Sequence, residues 1–250
     1  MATVLCLLPQ SDFDPTEAAV PWHVLTQAGH EVGFATETGA PAICDQITLT
    51  GNGLPNHLRM LKCRPENRTL YEAMAQDAAY RGPLRWDAVN PALYDALLMP
   101  GGHAPGMRPY LESEVVRDIC RSFFDRDAPV AAICHGVLAL ARTKHGDGRS
   151  ILHGRKTTAL NNFQEKMAIR LTRGAMGDHY RTYPVTVQDE VSSLLASEGD
   201  FLSGPIFPSF GTAQKPNAGF IVIDGKYISA RWPGDAYRLA FAFKALLASA

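Results

Sequence analysis

Pro129-Val-Ala-Ala-Ile-Cys134-His135-Gly136-Val-Leu-Ala-Leu-Ala141 reads as a short apolar strand, a sharp turn carrying a cysteine, and then a helix. Small residues two before and two after the sulfur, Ala132 and Gly136, let the chain reverse tightly. Such an elbow projects the nucleophile into a cleft and turns backbone N–H groups toward it. The positive end of the helix dipole favours the thiolate. The plain alternative is a structural cysteine, because free cysteine is among the most buried residue types. That alternative suits Cys6 and Cys120, which sit in apolar strand and helix patterns without an elbow.

Working outward, strand and helix signals alternate along the 250 residues, the mark of a mostly parallel sheet with helices on both faces. Strands are predicted at 3–9, 30–36, 94–99 and 129–133, and also at 156–160 and 181–187. A hairpin is expected over 220–231. Helices are predicted at 14–28, 112–125 and 235–249. The 14–28 helix has Pro15 in its first turn and Gly29 as its stop. Residues 41–91 form far too long a link between two strands for an ordinary connection. They read as a cap-like insert within a single domain spanning 1–250. Residues 197–217, rich in Gly, Pro and Ser, read as an irregular loop.

Composition narrows the function classes. Lys and Arg total 24 against 25 Asp and Glu, which gives no reason to expect nucleic acid or an anionic membrane as partner. Five cysteines, an odd number without C-x-x-C spacing, argue against a disulfide framework and a cysteine-rich zinc site. A reducing cytoplasm fits that usage. The first residues read as a strand rather than a signal peptide, and no apolar stretch reaches membrane-spanning length.

Around Cys134 other residues gain meaning. The His135 backbone N–H, next after the nucleophile, is the natural oxyanion donor, and its ring is a base if the turn folds it back. Gly101-Gly102 directly follows a strand that should neighbour the elbow strand. It reads either as a simple turn or as a second oxyanion donor at the sheet edge where ligands bind. His103 follows and joins the substrate-binding candidates. A metal role for it is disfavoured, since no second ligand stands at a recognisable spacing. Asp14-x-x-Glu17 is a capping-box pattern. The helix it opens follows the first strand, so Glu17 also reaches the elbow's edge, where burial would raise its pKa and make it a proton carrier. Glu165 is most simply a solvated carboxylate at a helix start.

These residues resemble the ThiJ/PfpI superfamily, relatives of the class I glutamine amidotransferases. The resemblance rests on Asp14-Pro-Thr-Glu17, Met99-Pro100-Gly101-Gly102-His103 and Ala132-Ile133-Cys134-His135-Gly136, with weaker similarity at 28–36 and 154–158. It implies a flavodoxin-like α/β three-layer sandwich, Cys134 as nucleophile, Glu17 as its carboxyl partner and His135 as the adjacent base. Chain length and insert are similar to the larger branch of stress-induced chaperones with glyoxalase III activity. In that branch an acidic residue about thirty positions after the cysteine orients the histidine, and Glu165 stands there. The implied activity is cofactor-independent attack on a small carbonyl compound, converting a 2-oxoaldehyde to a 2-hydroxy acid. Alternatives are an amidase or peptidase of the same family and a redox-sensing holdase chaperone. No metal is expected, the partner is a small carbonyl or amide substrate, and a homodimer is left open.

Overall fold

The computed structural model describes residues 1–207 and 209–249. Among these the strands are β1 (Thr3–Leu7), β2 (Ser11–Phe13), β3 (Glu31–Thr36), β4 (Ile43–Cys44), β5 (Leu84–Arg85), β6 (Ala96–Met99), β7 (Val130–Ile133), β8 (Ile221–Asp224) and β9 (Tyr227–Ala230). The helices are α1 (Pro15–Gln27), α2 (Gln46–Thr50), α3 (Pro65–Met74), α4 (Ala78–Arg81), α5 (Arg108–Glu112), α6 (Glu114–Asp125), α7 (Gly136–Arg142), α8 (Asn162–Met176), α9 (Val187–Ser193) and α10 (Ala236–Ser249).

The main sheet runs β5-β3-β1-β6-β7-β9-β8, parallel throughout except for the β8–β9 hairpin. Its central strands are buried on both faces, so they read as unbroken apolar runs: Val4 to Leu7, Ala96 to Met99 and Val130 to Ile133 are all buried. Helices cover both faces, giving the flavodoxin-like sandwich expected from the alternation. The register pairs Met99 with Ala132 and Ile133 with Ala230. The loops after β1, β6 and β7 therefore open side by side at the carboxyl edge of the sheet, where open α/β sheets bind ligands.

Two predicted strands do not form. Residues 156–160 make only an isolated bridge between Thr157 and Phe201. Both edges of β9 are already taken by β7 and β8, so the threonines pair through side chains instead. Thr157 Oγ1 lies 2.8 Å from the Tyr227 hydroxyl, and Thr158 N donates to Ser229 Oγ at 3.0 Å. Residues 181–187 form a loop in which Thr186 caps α9 by accepting from Asp189 N. The helix predicted over 112–125 begins at Glu114, capped by Ser113.

The stretch 41–91 folds down onto the core rather than standing apart. β4 pairs with β2 in a small second sheet, and β5 extends the main one. Met74, Tyr80 and Trp86 are buried. The Tyr80 hydroxyl donates to Ala42 O at 2.8 Å and the Trp86 indole to Leu8 O at 3.2 Å.

Candidate active site

The elbow is strained in the way its sequence suggested. Cys134 holds φ at +58°, a left-handed conformation that costs a side chain of this kind about 1–3 kcal/mol. Its N–H donates to Ala230 O at 3.0 Å, tying the turn to β9. Close packing makes the neighbouring glycines obligatory. A Cβ on Gly136 would collide with the Met99 carbonyl, and one on Gly101 would stand 2.7 Å from His135 N and 2.9 Å from Cys134 Cβ. A Cβ on Gly102 would collide with the Asp12 carbonyl.

Glu17 arrives from α1. Asp14 caps that helix, accepting from Thr16 N at 2.8 Å and Glu17 N at 3.2 Å. The Glu17 side chain does not close the predicted box but turns away to the elbow. Its Oε2 accepts the Gly101 N–H at 2.9 Å, while Oε1 is buried with no nitrogen or oxygen partner among the described residues. Burial, then the charge of Asp14, lifts the Glu17 carboxyl well above the ordinary range. Asp14 is itself raised to about 7, burial first.

Cys134 is fully buried, and here the sequence expectation is corrected. Burial, followed by the charge of Glu17, pushes the thiol well above its usual pKa, with the His135 backbone N–H pulling the other way. Burial is thus the largest influence on the thiol in the fold. The resting group is a neutral thiol, with Sγ 3.5 Å from His135 Nδ1. His135 is buried too. Burial first, then His103, keeps its ring far below the usual histidine pKa, so it rests neutral.

Glu165 is placed differently from either expectation. It is 1% exposed rather than solvated, and its Oε2 accepts the Val187 N–H at 2.8 Å, capping α9. His135 Nε2 has no hydrogen-bond partner among the described residues. Burial raises Glu165 to about 7.

His103 stands closer to the centre than its sequence context suggested. Its ring is 5.0 Å from that of His135 and 5.8 Å from that of Tyr180, edge-on to both. Burial lowers it to about 4. His103, Cys134 and His135 bring one ligand atom each within 4.8 Å of one another, a set able to hold a thiophilic divalent ion. Sequence spacing hid this trio because residue 103 lies on another loop.

Gly102 and His103 form part of the wall of a cavity of about 400 Å³. Asp14, Thr48 and Tyr180 border the same space, with Lys62 and Arg64 from the 41–91 stretch and Phe163, Met167 and Leu171 from α8. Tyr180 and its neighbour His179 were missed. The Tyr180 hydroxyl is 3.0 Å from Thr48 Oγ1, and His179 Nε2 is 3.4 Å from Asp45 Oδ2. Their signal, a His-Tyr pair in an otherwise polar loop, is too common to select on.

A family model described as ThiJ/PfpI family-like matches residues 8–205. A deglycase of Pyrococcus horikoshii is 30% identical over 160 residues, covering 64% of this chain and 74% of the relative. A glutathione-independent glyoxalase of Schizosaccharomyces pombe is 24% identical over 88% of this chain and 81% of its own. The crystal structure of glyoxalase III from Candida albicans superposes with a TM-score of 0.69 at 17% identity, covering 98% of this chain and 97% of that one. At that identity the likeness speaks for the fold.

Proposed function

The chain belongs to the ThiJ/PfpI family, and on that premise we propose that it is a cofactor-independent enzyme in which Cys134 attacks the carbonyl carbon of a 2-oxoaldehyde and water releases a 2-hydroxy acid. The observation that carries this reading is the strained elbow that sets the Cys134 sulfur beside a neutral His135 and the carboxyl Glu17. Relatives described as deglycases and as a glutathione-independent glyoxalase support carbonyl compounds as the substrate class.

The chemistry follows from the resting states. As Sγ bonds to the aldehyde carbon, the neutral His135 ring takes the thiol proton, so no free thiolate need be stored in the buried site. The aldehyde oxygen, now negative, is met by the N–H groups of Gly102 and His135 and takes a proton to give a hemithioacetal. Removing the proton from that carbon gives an enediol, and returning a proton to the adjacent carbon leaves a 2-hydroxy thioester. Glu17 and His135 are the carriers. Water then cleaves the S–C bond, restoring the thiol. One carbon is oxidised and its neighbour reduced, so no external oxidant is consumed. Glu165 acts at one remove, positioning the α8–α9 junction, and residues 41–91 serve as the cap.

The test is purified protein with methylglyoxal and no glutathione. Lactate formation is expected. Absence of lactate with turnover of amides would replace this reading by the hydrolase.

A further inference from the structure

The cavity bordered by Gly102 and His103, whose described lining does not include the buried Cys134, is larger and greasier than a three-carbon substrate requires. Methylglyoxal has five heavy atoms, and even at a water's share of volume for each, ~30 Å³, it would occupy about 150 Å³. The cavity measures about 400 Å³. One wall is an apolar stripe of α8, with Phe163, Met167 and Leu171 at intervals of four, the spacing that puts side chains on one helix face. These three are 39–46% exposed. Phe210, 4.5 Å from the Trp232 ring, continues the wall on the far loop. Half-exposed apolar side chains converging on a concave space mark a ligand surface.

The wall also carries unsatisfied polar atoms. Both amide atoms of Gln164 and the indole N–H of Trp232 are buried without a hydrogen-bond partner among the described residues. Buried polar groups are normally paired, so the orphans on the cavity-lining Gln164 and Trp232 are groups that a ligand can satisfy by drawing them toward the cavity. An indole N–H can only donate, which calls for an acceptor on the ligand.

We propose that the substrate of this site is a dicarbonyl compound bearing an aryl-sized apolar group, with that group seated against Phe163 and Met167 and an acceptor atom facing Gln164 and Trp232. This rests on the nucleophile reading of Cys134 and adds to it what the substrate must carry. Phenylglyoxal fits the description and methylglyoxal does not.

The experiment measures kcat/KM for phenylglyoxal and methylglyoxal side by side. Wild type should favour phenylglyoxal by about tenfold or more, and Phe163→Ala/Met167→Ala should lower that ratio by about tenfold or more, the scale of lost apolar contact in a pocket. Both side chains are partly exposed, so the variant should fold, with circular dichroism as the check. A preference for methylglyoxal, or a ratio unmoved in the variant, overturns the inference while leaving the nucleophile reading intact. If neither compound turns over, the nucleophile reading fails, and binding then decides the inference alone. Cys134→Ser titrated with acetophenone should show saturable quenching of tryptophan fluorescence that Trp232→Phe removes and the double variant weakens. Absence of saturable quenching overturns the inference.

Discussion

At Cys134 two costs are concentrated on one residue: a left-handed backbone and a thiol kept from water. On the proposed reading both become useful only if a proton acceptor lies within reach, and His135 Nδ1 stands 3.5 Å away. Glu17 matters for its proton. Glu17→Gln keeps an acceptor for the Gly101 N–H but has no proton to exchange. Its kcat should fall by about 10²–10⁴, the range of general acid–base catalysis, with little change in melting temperature. A steady-state assay beside a thermal melt checks both halves. Residues whose placement follows from local chain geometry were legible in the sequence. Cys134, Gly101, Gly102 and Glu17 each sit at a strand end or a helix start. His103 against Tyr180 was not legible, because their approach depends on how two distant loops pack. The protonation state of Cys134 was misread for a related reason: the dipole can be read from a short segment, whereas burial belongs to the whole fold.

The elements explain why the site holds its shape. α7 can start immediately after the elbow only because Gly136 lets it pass the Met99 carbonyl at the end of β6. Gly136→Ala should cost about 1–3 kcal/mol of stability by overpacking, read from the urea midpoint, and should lower activity with it. α8 and α9 meet through Glu165. Its carboxyl titrates near 7 in the fold against a usual 4.5. Between those values the folded chain holds more protons than the unfolded one, so stability falls as pH rises through that window. Glu165→Gln does not titrate and can still accept from Val187 N. It should match wild type near pH 4 and exceed it by pH 8, by on the order of 3 kcal/mol. Denaturant titrations at the two pH values test the sign. Here the sequence was a partial guide. The apolar runs of β1, β6 and β7 announced themselves, whereas Thr157 and Thr158 have strand-like side chains but no free sheet edge to join.

Across the whole molecule, the wall of the cavity depends on a buried ion pair far from the elbow in sequence. Arg231 Nε donates to Asp235 Oδ2 at 2.8 Å and its Nη2 to Oδ1 at 3.1 Å, both side chains without solvent exposure. Arg231 Nη1 also donates to Pro205 O at 2.9 Å, and Asp235 accepts from Phe220 N at 2.7 Å. The pair thus fastens Pro205 and Phe220 beside Trp232. Its sequence, Ser229 to Asp235, suggested no role, because a pairing of this kind shows only once the surrounding chain has excluded water. Asp235→Ala leaves Arg231 charged and alone, and should cost about 3–5 kcal/mol in an unfolding titration. The frame, the elements and the strained residue meet in one measurement: kcat/KM for methylglyoxal without glutathione, in wild type and in Cys134→Ser. Turnover by wild type and a fall of about 10³-fold or more in the variant, with its melting temperature retained, is the predicted result. Equal turnover by the two proteins would contradict Cys134 as the nucleophile.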